Sequence, residues 1–393
     1  MGDRLRVFSE GFRIFFLSAG VFGCLAMTLW WLWLADVHAF WETSAMMPQH
    51  WHAHEMIFGY AAAAIGGFFL TAVPNWTNTR GAGSAFIFTV FALWLLGRGA
   101  VLFAAAVSPM VVMVLDLLFL PVLAGQVLLQ LLKKPKPQNL LFLIMLSALW
   151  CSNLLVHLEW VGLTEDTAEA GLRGGLMTLA ALIGVLGGRV TPTFTRNAMK
   201  RQGMAKQELP VTAPLLDKAC ILSAVLLPWA VLSGVTWLGA GVAVFAACVQ
   251  ALRLAGWKGL WTRRQPILWS LHLGMAFLAL GLLLWGLAGF GLGDELAGLH
   301  VLAIGSVGGM TLAVMSRAVL GHTGRVLQVP AAVAWGFGAM AFSAVVRWIG
   351  QSVWLDLYSV TLTLSSLSWI VAMGLFLAAM GRMMFAARVD TAG

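Results

Sequence analysis

The sequence predicts an all-α polytopic membrane protein of about twelve spans, on three observations. Only 10% of its 393 residues are charged and 60% are hydrophobic, whereas a soluble domain is roughly a quarter charged. Apolar runs of about 20 residues, the length a helix needs to cross the ~30 Å hydrocarbon core, recur from one end of the chain to the other. The basic residues fall in alternate connections between those runs, as the positive-inside rule requires.

In chain order the spans cover approximately 14–35, 53–74, 85–106, 109–132, 138–158, 169–190, 214–234, 236–254, 266–289, 297–318, 330–349 and 357–385. Basic connections carry Arg4/Arg6/Arg13, Arg80, Lys133/Lys134/Lys136, Arg196/Lys200/Arg201/Lys206, Arg253/Lys258/Arg263/Arg264, Arg317/Arg325 and Arg382/Arg388. The intervening ones are acidic or neutral, with Asp36/Glu42, Glu159/Glu165/Asp166/Glu169, Asp294/Glu295 and Asp356. An even span count with this alternation puts both termini in the cytoplasm. The formal charge of +8 is therefore topological rather than a nucleic-acid footprint. The longest polar stretch, from about Thr191 to Ala213, is loop-sized, so residues 1–393 read as one integral membrane domain. The first apolar run is long and no small-residue cleavage site follows it before Trp41, which argues against a cleavable leader.

Cys24, Cys151, Cys220 and Cys248 stand singly in apolar runs, as buried small hydrophobes do. No Cys-x-x-Cys-His is present, which excludes haem attached through thioethers. P-loop, His-Glu-x-x-His and nucleophile-elbow patterns are also absent.

A weak repeat runs through the chain. Gly66-Gly67, Gly187-Gly188 and Gly308-Gly309 are separated by 121 residues each time. If it is more than the generic glycine packing of membrane helices, the second, sixth and tenth spans are equivalent. They would belong to three four-helix units (about 1–132, 138–254 and 266–385) in a pseudo-threefold bundle, the glycines leaving room for a flat cofactor.

The histidines point to chemistry, because imidazole is the commonest metal ligand and ionisable groups at membrane depth are costly. His50, His52 and His54 open the second span, followed by Glu55. His50 and His54 share a helix face at i, i+4, a chelating spacing. His52 and His54 point about 200° apart and cannot face one ion together in a helix. Glu55 suits an orienting acceptor or a proton relay. His300 opens the tenth span at the same end and is a candidate partner for His52 or His54. His272 in the ninth span and His322 after the tenth are candidates for a second, inner site, with a loop cap as the competing reading of His322. His157, alone beside Glu159, reads as structural, and His38 as an interfacial loop residue. Arg98, Arg173, Arg347, Glu55 and Asp116 are misfits at membrane depth and are expected to pair with one another. A structural ion-pair network, a proton relay and Arg donors to haem propionates all remain open for them.

Several segments resemble the NnrS family of bacterial membrane proteins. They are Gly11-Phe12-Arg13-x-Phe15-Phe16, Trp51-His52-Ala53-His54-Glu55-Met56-x-Phe58-Gly59 and Leu70-Thr71-Ala72-Val73-Pro74-Asn75-Trp76-Thr77. Further along come Gly187-Gly188-Arg189-Val190-x-Pro192-x-Phe194-Thr195-Arg196-Asn197, Leu271-His272, His300, and Arg317-x-x-Leu320-Gly321-His322-Thr323-Gly324-Arg325. The resemblance spans nearly the whole chain, in order. It implies a twelve-span bacterial inner-membrane protein containing haem and copper, with a role in the response to nitric oxide alongside denitrification or nitrosative-stress defence. The histidines within family-type motifs are His52, His54, His272, His300 and His322; His50 and His157 lie outside them.

On that basis the leading expectation is an oxidoreductase that converts nitric oxide to nitrous oxide at a haem b with a nearby histidine-bound copper. His54 and His300 would form the reactive site, His52 would be a neighbouring ligand, Glu55 the proton carrier, and Arg98 or Arg173 the propionate partners. A quinol or a cytochrome would donate electrons. The alternative is a protein that binds, sequesters or transports nitric oxide, haem or copper without turnover.

Overall fold

A computed structural model describes residues 3–37, 43–44, 46–135 and 137–389. His38, Glu42 and Lys136, placed in loops from the sequence, lie outside the described residues. Among those described there is no strand, and twelve helices are long and apolar enough to cross a membrane. They are α1 (Gly11–Leu34), α2 (Pro48–Thr77), α3 (Ser84–Leu102), α4 (Pro109–Lys133), α5 (Asn139–Trp160), α6 (Ala168–Arg201), α7 (Pro214–Leu232), α8 (Thr236–Ala255), α9 (Pro266–Ala288), α10 (Glu295–His322), α11 (Ala331–Ser352) and α12 (Leu355–Met384). The expected all-α, twelve-span fold is what forms.

Three helices overrun the spans expected of them. α6 has 34 residues, about 50 Å at 1.5 Å per residue, well beyond a ~30 Å hydrocarbon core. Its last turns, Thr191 to Arg201, are polar because they lie past the length a crossing requires. That stretch is therefore helix where the sequence suggested loop. α2 starts earlier than expected, at Pro48, whose fixed φ and missing N–H suit a first helical turn. α10 likewise continues to His322.

Inside these helices hydroxyls return to the carbonyl four residues back: Thr71 to Gly67 at 2.7 Å, Ser152 to Ala148 at 2.8 Å, Thr195 to Thr191 at 2.9 Å and Ser316 to Leu312 at 2.7 Å. In an apolar surrounding this satisfies a donor that water cannot reach.

The chain divides into two compact units. The first comprises 1–175, 318–326 and 373–393, and contains α1–α5. Here Gly11 lets α1 approach α2, since a Cβ would collide with Leu70, and Gly66 and Gly67 accommodate Phe15, Phe16 and Phe119. The second unit comprises 176–317 and 327–372. In it Gly187 backs onto Met275 and Met310, Gly188 onto the Arg253 guanidinium, and Gly308 onto Trp369 and Met340. The repeated glycines make room for protein side chains of their own unit. The threefold repeat has no counterpart in the two-unit division.

Two helices carry a wide, π-helical segment that the sequence did not suggest. It covers Glu55–Ala61 in α2 and Val301–Gly308 in α10. Each begins one residue after a histidine of the family-type motifs, His54 or His300. Such segments insert a residue into the helical register and cluster at functional sites.

A candidate metal centre on helices α2, α3, α4 and α5

In the first unit five ionisable side chains from four helices are buried together: His54 and Glu55 (α2), Arg98 (α3), Asp116 (α4) and His157 (α5). Adjacent residues of a regular helix point about 100° apart. The π segment starting at Glu55 accompanies the convergence of His54 and Glu55, with His54 Nδ1 2.9 Å from Glu55 Oε1. Gly97 makes the approach of α3 to α4 possible: a Cβ there would lie 2.9 Å from Asp116 Oδ1 and 3.1 Å from its Cα. Gly59 does the same for Arg98.

Both imidazole nitrogens of His54 face acceptors. Nδ1 faces Glu55, while Nε2 lies 2.9 Å from Asn153 Oδ1 and 3.2 Å from Asp116 Oδ2. Neutral imidazole has one N–H, so Nε2 meets either a proton, its own or one carried by Asp116, or a cation that takes its lone pair. The second arrangement is that of a metal-bound histidine, whose other nitrogen donates to an orienting carboxylate. Asp116 Oδ2 also accepts from Asn153 Nδ2 at 2.8 Å and meets His157 Nε2 at 2.8 Å. The Arg98 guanidinium pairs with both Glu55 and Asp116.

Two buried carboxylates against one guanidinium leave one negative charge over when both imidazoles are neutral. Uncompensated charge in an apolar interior is strongly unfavourable. The cluster therefore favours a further positive charge, a proton or a metal ion. One ligand atom from each of His54, Asp116 and His157 lies within 4.8 Å of the others, and two imidazoles with a carboxylate form a donor set that suits copper or iron.

The sequence expectations fare unevenly against this geometry. The misfit charges Glu55, Arg98 and Asp116 do pair, as anticipated. His54 gains His157 as its neighbour instead of His50, which is half-buried and outside the group. His157 was read as alone beside Glu159; it is a member of the cluster, 2.8 Å from Asp116 Oδ2, and that placement is corrected. Asn153 was missed; its signal was the i, i+4 spacing with His157 along one face of an apolar helix. His52 points elsewhere, as its 200° offset requires, and stacks on Trp30 at 4.5 Å between ring centres. Arg173 pairs with Glu169 on α6 at 2.7 Å. Arg347 donates to Gln351 Oε1 at 3.0 Å and lies over the Tyr358 ring.

The remaining histidines each have their own surroundings. His300, in the second unit, donates from Nδ1 to the Leu296 carbonyl at 2.7 Å, which leaves the lone pair on Nε2. His272, also in that unit, faces Thr195 Oγ1 through Nε2 at 2.9 Å. Because Thr195 gives its own proton to the Thr191 carbonyl, it accepts from His272, and the buried His272 Nδ1 keeps an unpartnered lone pair. His322, in the first unit, stacks on Phe12 at 5.3 Å.

Comparison with known families agrees with these motifs, since residues 6–388 match the family described as NnrS protein. The chain belongs to the NnrS family. None of the curated proteins searched matches it. Three of the NnrS-type motifs now have a structural place: Gly11-Phe12-Arg13 joins α1 to α2 and to the chain after α12, Trp51–Gly59 carries His54 and the π segment, and Gly187–Asn197 packs Gly188 against Arg253.

Proposed function

We propose that His54, Asp116 and His157 hold a metal ion, copper by the family resemblance, and that this NnrS-family membrane protein uses it to reduce nitric oxide to nitrous oxide. The observation that carries the metal assignment is the orientation of His54, one nitrogen on the Glu55 carboxylate and the other on the ligand cluster. The nitric oxide chemistry rests on the resemblance alone.

Joining two nitric oxide molecules into nitrous oxide and water consumes two electrons and two protons. Bound copper would supply a one-electron redox site. Glu55 accepts the His54 Nδ1 proton in a hydrogen bond and is the carboxylate this reading assigns as proton carrier, and Arg98 keeps Glu55 and Asp116 in register by pairing with both. A quinol or a cytochrome supplies the electrons. Haem b remains part of this reading, and His52 or His300, each taken by itself, is a residue that would hold it. For Arg98 or Arg173 to serve propionates, each would exchange its present carboxylate partner. The reading also places the protein in the bacterial inner membrane with both termini cytoplasmic.

The complete burial of the cluster favours one competing function, a protein that binds nitric oxide or copper without turnover. One experiment separates the two. Purified protein is analysed for iron and copper, its dithionite-reduced spectrum is recorded before and after anaerobic nitric oxide, and headspace nitrous oxide is followed with an artificial donor. The reductase reading expects metal, a changed spectrum and repeated turnover, with metal lost in His54→Ala and His157→Ala. Metal without turnover selects the binder. Full metal content in both variants overturns the centre.

A further inference from the structure

A cavity of about 280 Å³ lies in the second unit, between α6, α7 and α8. Three arginines line it, Arg189, Arg196 and Arg253, against one carboxylate, Asp217. Arg253 is a built element of the wall. Its side chain is buried, Nε and Nη2 hold Asp217 Oδ1 at 3.0 and 2.9 Å, and Nη1 donates to the Gly184 carbonyl at 3.1 Å, to Cys220 Sγ at 3.0 Å and to Gln250 Oε1 at 2.9 Å. Gly188 permits this, since a Cβ there would occupy the position of the Arg253 guanidinium. Arg196 is held by a 2.8 Å bond to the Pro210 carbonyl. The exposed Arg189 and the exposed Thr193 are on the same stretch of α6.

We propose that this cavity binds a phosphate group, that of an anionic lipid headgroup. The lining carries a formal excess of two positive charges, and guanidinium forks match phosphate oxygens in charge and geometry. Basic clefts between membrane helices are a recurrent headgroup site. Size decides what fits: the cavity sits at the small end of the ~300–1,000 Å³ range of ligand pockets. That is room for a phosphate and its substituents and too little for a porphyrin. The lipid source is favoured by the wall itself, because Ile221 lines the cavity and Leu222, Leu226 and Trp229 continue along α7 as exposed apolar side chains on which acyl chains can lie. The site is independent of the metal centre. It gives a role to the glycine pair, Arg189 and Arg196 of the Gly187–Asn197 motif.

The test is the thermal-unfolding midpoint of the purified full-length protein, titrated separately with phosphatidylglycerol, phosphatidylcholine and inorganic phosphate at matched ionic strength. Phosphatidylglycerol is expected to raise the midpoint and phosphatidylcholine to leave it unchanged. In Arg189→Gln, which alters an exposed side chain, half-saturation should need about ten- to a hundredfold more phosphatidylglycerol, the loss of one or two charge-assisted hydrogen bonds. Arg196→Gln is the second variant. A shift with inorganic phosphate alone, abolished in the same variants, keeps the phosphate site and makes the ligand the free ion. Equal shifts with both lipids, or wild-type titration by both variants, overturn the proposal.

Discussion

At the scale of single residues, the buried group formed by His54, Glu55, Arg98, Asp116 and His157 is governed by its charge. Glu55 and Asp116 share one guanidinium. Removing Arg98 therefore leaves two carboxylates without their fixed cation, a change that costs about 3–5 kcal/mol when a buried pair is broken. Arg98→Gln is expected to lower the unfolding midpoint sharply. If the cluster holds a metal, added copper restores more of that loss than it adds to the wild type, because a ligand that binds only the folded form stabilises it by mass action. Equal metal responses in the two proteins would remove the cation from the argument. Glu55→Gln keeps the hydrogen bond to His54 Nδ1 but loses the charge behind it. Outer partners of metal-bound histidines are worth ten- to a hundredfold in affinity. A copper titration of Glu55→Gln should show a weakening of that size, short of the loss in His54→Ala. At this scale the sequence revealed the ionisable residues and not their company. His54, Glu55, Arg98 and Asp116 stood out because charge inside an apolar span is rare. His157 looked solitary because its partner Asp116 is 41 positions away in sequence, and no local spacing encodes that meeting.

Among the elements, span positions were readable because an apolar run of fixed length is a property of composition. What interrupts or extends a span was not. The polar end of α6 continues as helix since backbone hydrogen bonding does not stop where the bilayer does. The π segments of α2 and α10 contain the same apolar and small residues as the helices around them, so the apolar pattern does not mark them. The motif opening α1 is an element-level device of another kind. The Phe12 N–H donates to Thr71 Oγ1 on α2 at 3.1 Å. Arg13 Nη1 donates to the Met384 and Ala386 carbonyls at 3.0 and 2.9 Å, where the backbone leaves the last helix. Those carbonyls lie at a helix end and lack an intrahelical partner. Replacing the guanidinium by an amide in Arg13→Gln should cost about 1.5–3 kcal/mol, the worth of a charged hydrogen bond. If the His54 cluster holds a metal, its content should stay at the wild-type level. A metal loss in this variant would mean that the N-terminal motif is part of the centre and not a structural tie.

For the whole molecule, twelve crossings with basic and acidic connections in alternation make orientation the property that every span shares. The acidic loop between α5 and α6 carries the exposed Glu165 and Asp166, and the connection between α8 and α9 carries the exposed Arg263 and Arg264. The negative cytoplasmic surface of a membrane attracts juxtamembrane Lys and Arg at about 1 kcal/mol each. Several basic loops acting together outweigh any single misfit such as Arg98, which is neutralised by its own carboxylates before it meets lipid. The orientation read from charge puts both termini and the 256–265 connection in the cytoplasm, and the 161–167 loop outside. Alkaline phosphatase, which is active only after export, should then be inactive when fused after Arg388 or inserted at Arg264, and active when inserted at Asp166. The opposite pattern would invert the molecule and put the end of α2 that carries His54 on the cytoplasmic side. Protons for its chemistry would then come from the other compartment, and a membrane-bound electron donor would have to be sought at the other surface.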